Sequence, residues 1–258
     1  VASVGTPSCS QTQSGSAVIS IISLPTVAIS GTTSICSGST ATISFNGTPN
    51  ATVTYTINSG PNQTIVLNAT GTASVTTPAL TANSTYALVS VTSSGTPTCS
   101  QTQSGNAVIT IVTLPTATIS GTATICSGAT ATITFNGTPN AIVTYTVNSG
   151  PNQTIVLNAA GTASLTTPAL TANTTYSLVS VAITGSSGCS QTQSGSAILT
   201  IAPLPTATIS GTTSICSGAT ATVSFTGTPN ATVTYTINSG PNQTIVLNAA
   251  GTASLTTP

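Results

Sequence analysis

The sequence repeats itself every 90 residues, and that period sets the size of whatever the chain can fold into. Cys36, Cys126 and Cys216 each stand in Ile-Cys-Ser-Gly. Cys9, Cys99 and Cys189 form a second series at the same spacing, each followed by Ser-Gln-Thr-Gln-Ser-Gly, and Leu24-Pro25, Leu114-Pro115 and Leu204-Pro205 form a third. The segment Phe45–Leu67 recurs at 135–157 with only Ile142 and Val147 changed, and at 225–247 with only Thr226 changed. Solenoid repeats run to about 20–50 residues, so this period is too long for them. It suits one small β-domain per repeat. Cutting at Leu-Pro gives residues 1–25 as the C-terminal part of a preceding repeat, 26–115 and 116–205 as two repeats, and 206–258 as the N-terminal part of a following one. The chain reads as a window on a longer array, beginning inside a repeat with no visible signal peptide.

Within one period the apolar residues alternate. Val27 and Ile29 make a first strand before Gly31, and Ala41, Ile43 and Phe45 a second before Asn46-Gly47. Val53, Tyr55 and Ile57 line one face of a third, with Thr52, Thr54 and Thr56 on the other. Asn58-Ser59-Gly60-Pro61 is a turn signal. Ile65 and Leu67 belong to a fourth strand, and Ala73 and Val75 to a fifth. Tyr86, Leu88, Val89 and Val91 form a sixth that is apolar on both faces, as a central strand is. Ala107, Ile109 and Ile111 form a seventh. No stretch has helical periodicity over a useful length. Seven short strands separated by turns predict an all-β fold: tandem immunoglobulin-like β-sandwiches of about 90 residues. The approach to the sixth strand, Pro78 to Tyr86, has the form of a tyrosine corner, in which the Tyr hydroxyl bonds back across the loop. The same pattern ends at Tyr176. The simpler reading makes both tyrosines core aromatics.

The chain contains no Lys, Arg, Asp, Glu or His, where an ordinary domain is about 25% charged. General acid–base chemistry relies mostly on those residues, and Ser or Cys nucleophiles need them as partners. The chain is therefore not expected to be an enzyme. Calcium and magnesium sites need carboxylates, zinc would need thiolates at a spacing not found here, and nucleic-acid affinity comes from Lys and Arg. No cofactor, no metal and no nucleic-acid partner are expected. No apolar run approaches the ~18–20 residues of a membrane span; the best candidate, Ala107–Leu114, stops at Pro115.

The order of motifs resembles a known group. Ile-Cys-Ser-Gly at 35–38 comes first, then alternating strands, Ala-Asn-Ser-Thr-Tyr ending at Tyr86, and a Cys after the sixth strand. Ala-Val-Ile-Thr-Ile from Ala107 and Leu114-Pro115 close the period. This is similar to the repeats of giant Bacteroidetes surface proteins, including gliding-motility adhesins and other secreted Ig-like arrays. The resemblance implies cell-surface attachment or filament formation. Those families usually carry Asp and Glu in turns where this chain has Asn, Ser and Thr, so no calcium site is carried over.

Two cysteines per period without metal spacing point to disulfides and an extracellular, oxidising location. Pairing within a repeat gives Cys36–Cys99 and Cys126–Cys189, with Cys9 and Cys216 paired outside the window. Connectivity does not follow from spacing, and two other schemes stay open. One joins neighbouring repeats, as in Cys36–Cys189. The other joins Cys9–Cys36, Cys99–Cys126 and Cys189–Cys216.

Only Thr113, Leu114 and Pro115 separate the last strand of one repeat from the first of the next, which predicts a stiff rod or filament. Pro115, and Pro205 at the next junction, also open an edge strand that Pro protects from strand addition. An uncharged surface favours association. The expected partners are other copies of the chain or further repeats, with strand complementation between 206–258 and residues 1–24 as one mode. Asn-x-Thr sequons at Asn46, Asn50, Asn62, Asn68 and Asn83 leave room for glycans. The function expected is a structural extracellular stalk or filament of a bacterial surface protein. The alternative is an adhesin that binds glycans or surfaces, ice included, through neutral Thr, Asn and Tyr faces. The row Thr52, Thr54, Thr56 is a candidate, interrupted by Ile142 in the second repeat.

Overall fold

The computed structural model describes residues 2–7, 9–185 and 188–257. They are all β, with no helix among them. The first full period carries β1 (Val27–Ser30), β2 (Thr33–Cys36), β3 (Thr42–Gly47), β4 (Thr52–Ile57), β5 (Gln63–Val66), β6 (Thr72–Thr76), β7 (Ser84–Thr92), β8 (Ser100–Thr102) and β9 (Asn106–Val112). The second carries β10 (Ala117–Ser120), β11 (Ala123–Cys126), β12 (Thr132–Gly137), β13 (Ile142–Val147), β14 (Gln153–Val156), β15 (Thr162–Thr166), β16 (Thr174–Ala182), β17 (Ser190–Thr192) and β18 (Ser196–Ala202). Residues after 205 form β19 (Ala207–Ser210), β20 (Thr222–Gly227), β21 (Thr232–Tyr235), β22 (Gln243–Val246) and β23 (Thr252–Thr256).

Each full period is a sandwich of two sheets. In the first, β1-β3-β6 makes one layer and β2-β9-β7-β4-β5 the other, with β8 hydrogen-bonded to β7. The second repeats this order from β10 to β18. The strand that opens a period is split between layers: β1 runs antiparallel to β3, and β2 runs parallel to β9. This is immunoglobulin-like topology.

Gly31 lies at the split. Its φ is +119°, and a Cβ there would meet the Thr42 carbonyl oxygen at 2.6 Å. Only glycine lets the chain pass so close to β3 while changing layers.

The core follows from the alternation. Ile43 and Phe45 of β3, Val53 and Tyr55 of β4, Tyr86, Leu88 and Val91 of β7, and Ala107 and Ile109 of β9 are all buried. Thr52, Thr54 and Thr56 point to the other face of β4 and are half-buried. The apolar character of β7 on both faces has a local cause. Its register against β4 shifts between Thr54 and Tyr55, so that Leu88 faces Tyr55 and Ser90 faces Thr54. Val89 is the extra residue of a bulge, and its carbonyl accepts the Gln103 N–H at 2.9 Å.

Two strands differ from the seven expected. β2 and β8 are additional, giving nine per full period. By contact the chain divides into two compact units, Val1–Pro115 with Ile183–Ser190, and Thr116–Ala182 with Gln191–Pro258.

Candidate functional site

The feature with the most covalent consequence is the bond between Cys36 and Cys189, whose Cα atoms are 5.5 Å apart. Both residues lie in the first compact unit. Each is held by backbone geometry that recurs with the period. Cys36 ends β2, where the Ser37 N–H donates to the Val112 carbonyl at 2.9 Å and the Ser39 N–H to the Cys36 carbonyl at 3.0 Å. Cys189 sits in the loop between β16 and β17, where its carbonyl accepts the Ile183 N–H at 2.9 Å. It is fully buried.

This connectivity corrects the expected pairing. Cys36–Cys99 and Cys126–Cys189 are not formed; Cys9, Cys99, Cys126 and Cys216 are free thiols. The physical reason is topological. Within one period β2 ends beside Val112 of β9, whereas Cys99 sits in the loop between β7 and β8. The bond therefore joins a cysteine of one period to the hairpin cysteine of the next, the open alternative weighed above. A link spanning 153 residues stabilises by about 5 kcal/mol in the chain-entropy model.

Tyr86 and Tyr176 occupy core positions on β7 and β16. The Tyr86 ring stacks on Tyr55 with centroids 6.2 Å apart, and Tyr55 lies 5.1 Å from Phe45. Burial pushes the Tyr86 phenol above its ordinary value; the neighbouring Tyr55 adds to this and a hydrogen bond with Ser84 opposes it. Burial does the same to Tyr145 and, with Tyr145 beside it, to Tyr176. Pro115 is buried, two residues before the edge strand β10, and Pro205 is exposed.

Asparagine supplies bonds that the sequence did not signal. Asn83 Oδ1 accepts the Ile111 N–H at 2.7 Å, and Asn173 Oδ1 accepts the Ile201 N–H at 2.8 Å. Asn58, in the left-handed region at φ 51°, accepts the Thr85 N–H at 2.8 Å. Asn68 closes its own turn by accepting the N–H groups of Thr70 and Thr72, each at 2.9 Å. Of the five sequon asparagines of the first full period, Asn68 and Asn83 are thus engaged in holding loops.

Residues 206–258 comprise only the opening part of a period, so the apolar positions that later strands cover in the full periods lie open here. A cavity of about 600 Å³ is lined by Ile215, Val223, Ile237, Leu255 and neighbours, and Ile209 is 62% exposed. Here β20 pairs β19 and β23, while β21 pairs β22. In the full periods a β7- or β16-type strand and a β9- or β18-type strand cover the corresponding positions. Residues 16–22, Ser-Ala-Val-Ile-Ser-Ile-Ile, match β9 and β18 in pattern. They lie in no strand, with Val18, Ile19 and Ile21 exposed. Among the described residues no helix is long and apolar enough to cross a membrane.

No family model matches the sequence, and no curated protein matches it. Solved structures do. A marsupial T cell receptor is similar at 12% identity and a TM-score of 0.47, over 82% of this chain and 84% of that one. A trypsin-activated alpha-2-macroglobulin from Escherichia coli is similar at 11% identity and a TM-score of 0.29, over 92% of this chain. A Salmonella alpha-2-macroglobulin mutant is similar at 9% identity and a TM-score of 0.28, over 91%. The chain spans about a fifth of the length of either macroglobulin, 22% in each case.

Proposed function

We propose that the chain is a structural element of an extracellular stalk or filament, built from near-identical uncharged Ig-like repeats of a bacterial surface protein. The observation that carries this reading is the near-identity of loops as well as core from one period to the next. Binding sites diverge between repeats; here even the exposed segment Asn58–Asn62 recurs unchanged at 148–152 and 238–242. The disulfide favours an oxidising compartment, and the four-residue connection from Val112 to Ala117 leaves each junction little freedom.

Self-association belongs to the same reading, since an uncharged surface puts no like-charge repulsion between copies. Electron microscopy of the native assembly tests the proposal. Continuous fibres of regular axial repeat are expected. Isolated particles, or chains that kink freely at every junction, would refute it.

A further inference from the structure

One strand of each period keeps an open backbone edge. β5 ends the layer β2-β9-β7-β4-β5, and among the described residues it pairs only with β4. β14 likewise pairs only with β13, and β22 only with β21. Which groups of β5 point outward follows from β4. Just past β4, the Asn58 N–H donates to the Thr85 carbonyl at 2.8 Å. Backbone groups alternate sides along a strand. Thr56, Thr54 and Thr52 therefore turn theirs toward β7, while Val53 and Tyr55 turn theirs toward β5. Their partners Ile65 and Gln63 face β4 in turn. The Leu67 N–H, donating to the Ala51 carbonyl at 2.9 Å, keeps the same alternation. The N–H and C=O groups of Thr64 and Val66 are left pointing away from the sheet.

The second full period repeats both bonds. The Asn148 N–H donates to the Thr175 carbonyl at 2.9 Å, and the Leu157 N–H to the Ala141 carbonyl at 2.9 Å. Thr154 and Val156 thus hold the outward groups of β14. In the last segment the Leu247 N–H donates to the Ala231 carbonyl at 2.9 Å, which places Thr244 and Val246 outward on β22.

Sheet edges are ordinarily blunted by Lys, by Pro or by a bulge. Gln63-Thr64-Ile65-Val66 has neither Lys nor Pro, and it recurs unchanged at 153–156 and 243–246. Its valines, Val66, Val156 and Val246, are 62%, 62% and 63% exposed. The other edges are different. β6 presents only the hydroxyls of Thr72, Ser74 and Thr76 to solvent, and β2 ends in the disulfide at Cys36.

We propose that this edge is the surface by which copies of the chain associate side by side: β5, β14 or β22 of one copy pairs antiparallel with the same strand type of another. The register is fixed by the outward groups. A twofold axis beside Ile65 sets Thr64 against Val66 of the second copy and Val66 against its Thr64, each pair exchanging both N–H···O=C bonds. The interface is isologous. Each exposed Val gains a Thr neighbour on the same face, a β-branched pair suited to a pleated surface. The occupant must be an extended uncharged strand with a free edge of its own, and the chain carries that strand three times. A four-residue edge is a small contact; three identical edges make the chain multivalent toward itself, so that weak contacts add. The proposal names the surface for the self-association described above and rests on that reading.

The test uses the whole chain with its free thiols alkylated, so that no covalent multimer contributes. Sedimentation velocity over a concentration series reads association, and residue-resolved amide hydrogen exchange reads the edge. In the associated state the amides of Thr64, Val66, Thr154 and Val156 should exchange about tenfold more slowly or better than in the dilute state, because each gains a hydrogen bond. Val66→Lys, Val156→Lys and Val246→Lys together should raise the dissociation constant about tenfold or more, since they charge the paired strands. Thr42→Lys, Thr132→Lys and Thr222→Lys add the same charge at exposed positions of β3, β12 and β20, strands already paired on both sides; they should change it much less. A wild type that stays monomeric throughout overturns self-association and the edge together. Association with unchanged exchange at Thr64 and Val66, or equal association by the edge variant, overturns the edge alone. Should both lysine variants dissociate or the edge variant unfold, protection at Thr64 and Val66 in the wild type upholds the edge, and its absence overturns it.

Discussion

The side chain of Asn83, one residue before β7, braces the neighbouring strand β9: its Oδ1 accepts the Ile111 N–H at 2.7 Å. Asn173 does the same for Ile201 in the next period. In a chain without carboxylates, amide oxygens take on the work of bracing backbone donors. Asn83→Ala should cost about 1–2 kcal/mol, the value of a hydrogen bond whose donor is left without its partner. For a domain of this size that lowers the melting temperature by roughly 4–8 °C per kcal/mol. Differential scanning calorimetry checks it, with Asn83→Asp as a control that keeps the accepting oxygen.

Gly31 gives a sharper case, because its constraint is steric. Its positive φ and the 2.6 Å approach of a Cβ to the Thr42 carbonyl leave no room for a side chain. Gly31→Ala should destabilise by about 1–3 kcal/mol, the cost of a residue held in a sparsely populated backbone region. Gly95→Ala meets nothing within 4 Å and should leave the urea midpoint unchanged. Equal effects from the two substitutions would contradict this account of the strand split.

Most of the sandwich was legible because one face of each long strand is apolar. Val53 and Tyr55 alternate with threonines, and a period of two permits no other reading. β2 and β8 were not legible. Thr33-Ser34-Ile35-Cys36 becomes a strand only through its parallel partner β9, which lies far along the chain, and Ser100-Gln101-Thr102 has no apolar side chain. Val89 reads as a second apolar face of β7, yet it is a bulge residue, and a bulge depends on the partner's register. The disulfide was the least legible feature. Cysteine spacing says how many thiols there are, while pairing depends on which loop reaches which strand end.

Phe45 anchors the aromatic cluster of the first full period, 5.1 Å from Tyr55 and almost fully buried. Phe45→Ala removes that packing and leaves a cavity, at a cost of about 3–5 kcal/mol. Phe45→Leu keeps most of the volume and should cost less than half as much. Chemical denaturation followed by tyrosine fluorescence measures both, since Tyr55 and Tyr86 report on the same core.

The absence of ionisable side chains makes a prediction about pH whose sign can be worked out. No side-chain carboxylate, histidine or lysine is present to change its charge between pH 3 and 9. Stability should therefore be flat across that range, where carboxylate-bearing proteins lose stability in acid. At high pH the tyrosines decide. Tyr86, Tyr145 and Tyr176 have phenols raised above the ordinary 10.0, chiefly by burial. A raised folded value means that the folded state holds the phenolic proton more tightly than the unfolded state. The associated stability is fully present below pH 10 and is lost as pH rises through the folded values. The melting temperature of protein with its free thiols alkylated should thus be constant from pH 3 to 9 and fall above about pH 10. Tyr86→Phe should reduce the alkaline fall, because it removes one of the titrating phenols while keeping the ring. An acid transition near pH 4, or an alkaline fall unchanged by that substitution, would show that another group governs the response.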